Sequence, residues 1–166
     1  MRFLEQATMH KTRNSLSLSK RKKSAQQLQT CLSSLLDLAL QAKQAHWNLK
    51  GANFIALHEL FDKINSELLG FADLNAERIA ALGGTPDGTI GTTSKETLLK
   101  SYPKGLVKSK DHLTFFANNL AIVGRQNRDA IELSAKEGDL GTSDLFTEVS
   151  RGLDHLLWLL EAHLQG

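Results

Sequence analysis

The chain has 166 residues, 41% hydrophobic and 23% charged, which suits one domain with a sizeable core. No apolar run approaches the roughly 18 residues that a membrane span needs. The single cysteine, Cys31, excludes an internal disulfide framework and any CxxC metal knuckle, and fits a reducing compartment. The net charge of +2 hides an asymmetry. Residues 1–23 carry Arg2, Lys11, Arg13, Lys20, Arg21, Lys22 and Lys23 against Glu5, for +6, whereas the remainder carries 13 basic and 17 acidic side chains, for −4.

Residues 1–18 mix Ser, Thr, Asn and His with basic groups and show no sustained apolar period, so they read as a mobile basic arm. From about Ser19 to Leu49 the apolar residues Leu28, Cys31, Leu32, Leu35, Leu38, Ala39, Ala42 and Ala45 recur at three and four, and Lys50-Gly51 closes this first helix. Asn53 is placed to cap a second helix that runs to about Leu82, with Leu57, Phe61, Ile64, Leu68, Phe71 and Ile79 on one stripe and Gly83-Gly84 at its end. The connection from Thr85 to Lys108 is too long to be structureless in a compact domain. Thr93 and Glu96 form a capping-box pair, which predicts a short helix near residues 94–100, stopped by Pro103. Further helices follow from Ser109 to about Lys136 on Leu113, Phe116, Leu120, Val123 and Ile131, and from about Thr142 to Leu164 on Leu145, Val149, Leu153, Leu156 and Leu160. Four long amphipathic helices with one long connection between the second and third give an all-α, ferritin-like four-helix bundle over residues 19–166.

The second helix carries two pairs at i,i+4, His58 with Asp62 and Asp73 with Glu77. At about 100° per residue, with His58 at zero, Asp62 falls near 40°, Asp73 near 60° and Glu77 near 100°. The apolar stripe centres near about −90°, so the four polar groups point away from their own core. A solvated polar face is the ordinary reading of such an arc. Two details weigh against it. The arc also holds Ile55, Leu69, Gly70, Ala76 and Ala80, which suit a close helix contact better than water. Moreover, His58 and Asp73 lie about 22 Å apart along the axis, while metal ligands approach within about 2 Å. One chain cannot close such a site. The two outer residues and the two inner residues nevertheless share a midpoint between Glu67 and Leu68. An antiparallel twin about a two-fold axis there sets His58 level with the partner's Glu77 and Asp62 level with the partner's Asp73, making two identical sites per dimer. His46, 12 residues before His58, can be returned to the same place by the Gly51 turn. Two imidazoles and three carboxylates suit Fe(II), Mn(II) or Zn(II).

Competing motifs fail. HELFD at 58–62 has Asp62 where a zinc-protease helix needs its second histidine. No Glu is followed three residues later by His, which removes the intrachain di-iron centre of ordinary ferritin-like enzymes. Gly83-Gly84-Thr85-Pro86 lacks the phosphate-loop pattern. His10, His112, His155 and His163 have no carboxylate partner at ligand spacing, so packing or surface roles are expected of them.

The stretch QAHWNLKGANFIALHELFD, followed by AERIAALGG, closely resembles the Dps family, the DNA-binding proteins from starved cells. The likeness continues through KSYP at 100–103, AIV at 121–123 and LDHLLWLLEAHL at the end of the last helix. It implies a dodecameric hollow shell with ferroxidase ligands between two-fold-related subunits, here His46, His58, Asp62, Asp73 and Glu77. It also implies oxidation of Fe(II), by hydrogen peroxide in preference to dioxygen, and storage of the ferric mineral inside. Trp47 matches a family tryptophan that takes up stray oxidising equivalents, although a packed aromatic at a helix end is as good a reading. The family's acidic iron-entry pores point to Asp129, Glu132, Glu137, Asp139 and Asp144, with Arg125 and Arg128 interrupting the region.

Lys20, Arg21, Lys22 and Lys23 would occupy the first turn of a helix, where cations oppose the dipole, so helix stability does not explain them. With Lys11 and Arg13 they form a set suited to non-specific, salt-sensitive binding of double-stranded DNA. The expectation is therefore a cytoplasmic, nucleoid-associated ferroxidase and iron-storage shell that coats DNA. Other classes remain: a structural nucleoid protein whose interface metal is only a clip, or a helical interaction module with neither property. A solubilising arm or a transit peptide would also explain the basic segment.

Overall fold

A computed structural model describes residues 9–165. Five helices follow one another: α1 Leu18–Asn48, α2 Phe54–Ala81, α3 Ile90–Glu96, α4 Ser109–Glu137 and α5 Leu140–Ala162. The four long ones form the bundle. α1 lies chiefly against α2 and α4 against α5, with α1 also meeting α4, and the short α3 rests on α1. Most of the buried stripes are those that the three-and-four spacing marks out: Leu28, Leu35, Leu38 and Ala42 of α1, Leu57, Phe61, Ile64 and Leu68 of α2, Phe116, Leu120 and Val123 of α4, and Val149, Leu153 and Leu156 of α5, whereas Phe71, Ile131 and Leu145 are only half-buried and Phe146 takes the buried place expected of Leu145. Phe61 meets Phe116 edge to face at 5.2 Å in the centre of this core. Cys31 is sealed on α1, and burial pushes its thiol up to about 12.

The helix ends follow from local chemistry. The Ser17 hydroxyl accepts from Lys20 N–H at 3.3 Å and caps α1. Gly83, at φ +87°, ends α2 by donating to Ala80 O while Gly84 donates to Ile79 O. Gly138, at φ +77°, ends α4 in the same way. Asp139 then caps α5, accepting from Thr142 N–H at 3.0 Å and Thr142 Oγ1 at 2.6 Å, with the Arg78 guanidinium at 2.9 Å on its other side. Gly152 of α5 gives Phe71 of α2 its space, since a Cβ there would lie 2.2 Å from Phe71 Cζ.

Two expectations need correction. The short helix starts earlier, with Thr89 as its N-cap, and Thr93 is a buried residue in its middle. The Thr93–Glu96 capping box is not what nucleates it. Asp87 does that work: its carboxylate accepts from Thr89 N–H, Thr89 Oγ1 and Thr92 Oγ1 at 2.6–2.9 Å, and Gln29 of α1 clamps the Asp87 backbone from both sides.

The basic arm is the other. Its first eight residues, Arg2 and Glu5 among them, lie outside the described residues. From His10 onward it is tethered to the end of α2. His10 N–H donates to Gly83 O at 2.6 Å, and Leu16 packs against the core. The basic residues that follow do have a structural role, because α1 starts where α2 and α4 end. Arg21 is buried and donates to Leu82 O at 2.8 Å and Leu16 O at 3.2 Å. The Lys20 ammonium lies over Gly138, and Lys23 pairs with Glu137 at 2.8 Å. Cations that oppose the dipole of their own helix thus complement the C-termini of its antiparallel neighbours.

Candidate metal centre

The Leu49–Asn53 turn reverses the chain so that the last turn of α1 faces the first of α2, and His46 and His58 stack with ring centroids 3.6 Å apart. The two imidazoles hold each other through the backbone. His46 Nδ1 lies 2.7 Å from His58 O, and His58 Nδ1 lies 3.0 Å from His46 O. A carbonyl only accepts, so each Nδ1 carries the proton and donates. In the neutral imidazole this leaves Nε2 of both rings as a lone-pair donor, the arrangement that metal-ligating histidines use to fix tautomer and orientation. Phe54 packs beside the pair, 5.1 Å from the His58 ring.

Asp62, one turn along α2 from His58, is exposed and bonds the Lys43 ammonium of α1. That hydrogen bond holds the Asp62 carboxyl below the usual carboxylate range. The group stays ionised and available as a ligand. His46 and His58 therefore stand as a stacked pair, with Asp62 one turn along α2 and turned to Lys43, and nitrogen and oxygen donors of this kind suit a borderline divalent ion. Asp73 and Glu77, both exposed, are carried toward the other end of α2, about 22 Å on. Among the described residues of one chain, no three His, Cys, Asp or Glu side chains converge on a point that a metal could occupy.

Between these half-sites Leu69 of α2 is 47% exposed, with Leu40 of α1 and Ile90 of α3, 61% and 81% exposed, around the same groove; Ile55, one turn before His58, is 62% exposed. This groove of about 440 Å³ runs between α1, α2 and α3, lined in part by Leu36, Leu40, Leu69 and Ile90. Trp47, next to His46, is also exposed rather than packed against its own bundle.

The other expected residues separate. Of the six basic candidates for nucleic acid, Lys11, Arg13 and Lys22 are exposed and take part in no ion pair, Lys20 is half-buried, Lys23 is paired, and Arg21 is buried and committed to α2. Of the pore candidates, Asp129, Glu132 and Asp144 are exposed, and Glu137 holds Lys23. Asp139 is buried; burial alone would raise its carboxyl, but Thr142, Ser24 and Arg78 together hold it below the usual range. It is a helix cap, not a pore residue. His112 has the packing role expected of it, accepting from Tyr102 Oη at 2.6 Å and donating from Nε2 to Leu106 O at 3.1 Å. Sequence reasoning missed Lys43, and a lysine on the same face as His46, one turn before it, was the available signal.

The ferritin-like domain family matches residues 25–166. A DNA protection during starvation protein of Agrobacterium fabrum is 45% identical over 94% of this chain and 96% of its own length. Among solved structures, a Dps of Mycobacterium smegmatis superposes with a TM-score of 0.90 at 34% identity, covering 96% of each chain. A Dps of Microbacterium arborescens in a high-iron form gives a TM-score of 0.85 at 33% identity, covering 90% of this chain and 97% of that one.

Proposed function

Because this chain belongs to the Dps family of ferritin-like proteins, we propose that it is a ferroxidase and iron-storage protein whose reaction centres are completed between two-fold-related subunits and whose shell, a dodecamer by family likeness, binds DNA without sequence preference. The observation that carries this reading is the reciprocal pair of Nδ1–carbonyl bonds, which presents the Nε2 atoms of His46 and His58 together beside the ionised Asp62. The apolar, exposed face of α2 between the half-sites supports the dimer.

Fe(II) is the substrate. His46, His58 and Asp62 of one subunit bind it together with Asp73 and Glu77 of the opposing copy, which bring the carboxylates needed to stabilise the ferric product. Two Fe(II) ions each give one electron to hydrogen peroxide, the O–O bond breaks, and two hydroxides leave with two Fe(III). Pairing the electrons in this way avoids release of a hydroxyl radical. Dioxygen is the slower oxidant, and the ferric product passes to a mineral inside the shell. Lys43 must leave Asp62 as the substrate cation enters. The exposed arm residues Lys11, Arg13 and Lys22 contribute to contact with DNA phosphates, and the protein works in the cytoplasm at the nucleoid.

Stopped-flow absorbance after mixing with Fe(II) and peroxide tests the chemistry. His58→Ala and Asp62→Ala should each slow ferric product formation by about 100-fold or more, on the scale of losing a metal-binding group. Wild-type rates in both variants would defeat it. Metal binding at the site without peroxide-dependent oxidation would instead favour a structural clip.

A further inference from the structure

Four lysines gather at the end of the bundle opposite the basic arm. Lys50 follows α1, Lys104 lies in the connection after α3, and Lys108 and Lys110 open α4. Their backbones are latched together. Lys50 N–H donates to Val107 O at 3.1 Å, a parallel bridge pairs Lys50 with Lys108, and Ser109 Oγ donates to Lys50 O at 2.8 Å. The His112 ring holds both flanks of Lys104, through Tyr102 on one side and Leu106 on the other. All four lysines are exposed, and none enters an ion pair among the described residues. From Leu98 to Gly124 the only acidic residue is Asp111.

These charges differ from those that open α1. Arg21 and Lys23 each donate to a neighbouring helix end or its carboxylate, whereas Lys108, the N-cap of α4, makes no capping bond, and neither its ammonium nor that of Lys110 donates to a carbonyl or carboxylate among the described residues. No hydrogen bond or ion pair among the described residues uses their ammonium groups. We propose that Lys50, Lys104, Lys108 and Lys110 form a second, preformed surface for the phosphate backbone of double-stranded DNA, separate from the arm. The proposal rests on the reading of this chain as a DNA-binding shell. A latched surface orders only side chains on binding, which lowers the entropic cost of each phosphate contact. The two-fold axis that sets His58 level with the partner's Glu77 also sets Ala52 level with the partner's Gly83, the anchor of the opposing arm. On that two-fold arrangement the patch and the opposing arm lie at one height along the helix axis. Val107, 50% exposed, is the one exposed apolar residue between Lys104 and Lys110, which disfavours insertion into a lipid surface.

The test is binding of the full-length assembled protein to a linear duplex of arbitrary sequence across a salt series. The quadruple variant Lys50→Gln, Lys104→Gln, Lys108→Gln, Lys110→Gln should lose at least about tenfold in affinity, and its log–log salt slope should fall in magnitude by up to about 3.6, near 0.9 per phosphate neutralised. The corresponding Arg variant should restore both, and Lys11→Gln with Arg13→Gln should give a separate, additive loss. Unchanged melting temperature and iron oxidation in the Gln variant show that the shell is intact. Wild-type affinity and slope in that variant would overturn the patch while leaving DNA binding in place. Failure of the wild type to bind duplex at low salt would overturn the DNA-binding reading itself. Loss of binding to anionic phosphatidylserine vesicles, with duplex binding untouched, would assign the patch to membranes and overturn it here.

Discussion

The two faces of α2 are built from similar residues but are completed differently. On one face Leu57, Phe61, Ile64, Leu68 and Ile79 are buried by α1, α4 and α5, so the packing is finished within one chain. On the other, Ile55 and Leu69 remain open beside Asp62, Asp73 and Glu77. The proposed two-fold partner accounts both for apolar residues that one chain leaves exposed and for carboxylates too far along α2 to meet the histidines of their own chain. The first face specifies a fold. On the proposed function, the second specifies an assembly whose chemistry is completed at the contact.

The contrast can be broken from either side. Phe61→Ala removes the aromatic at the centre of the closed face and should cost about 4 kcal/mol, read as a loss of stability in chemical denaturation at any protein concentration. Asp139→Ala removes the α5 cap and leaves Arg78 facing a buried void of charge. It should cost about 3 kcal/mol by the same measurement without changing the iron chemistry. Leu69→Glu on the open face should leave helicity unchanged by circular dichroism and shift sedimentation toward smaller species, with ferroxidase activity lost in proportion to the dimer. Retention of the assembled state in that variant would mean that α2 faces no partner. The smallest effect concerns His112. Burial holds its imidazole below the ordinary value of 6.5, so the unfolded chain takes up the proton first as pH falls. Its contribution is complete above about pH 6.5 and is lost below it, and His112→Gln should flatten that part of the melting-temperature profile.

The sequence makes the four long helices legible because their apolar residues recur at three and four, and Gly83-Gly84 and Gly138 mark ends that require a left-handed residue. The start of α3 is not legible in the same way. A capping box at Thr93–Glu96 is a local signal, and it was outcompeted by Asp87, whose position depends on Gln29 some 58 residues earlier. The basic run at Lys20–Lys23 misleads for a related reason. Its charges conflict with their own helix, and the C-termini of α2 and α4 that resolve the conflict are neighbours only after folding. At the candidate centre, spacing brings His46 and His58 to one place as expected and carries Asp73 and Glu77 far along α2. The mutual locking of His46 and His58 depends on two backbone carbonyls, and a one-letter sequence carries no record of those.

Cys31 offers an internal stopwatch. Enclosed on α1 and held in its unreactive thiol form, it meets an alkylating reagent only when the helix around it opens. The rate at which the native protein takes up such a label therefore times the opening of the packing around Cys31, with no engineered probe.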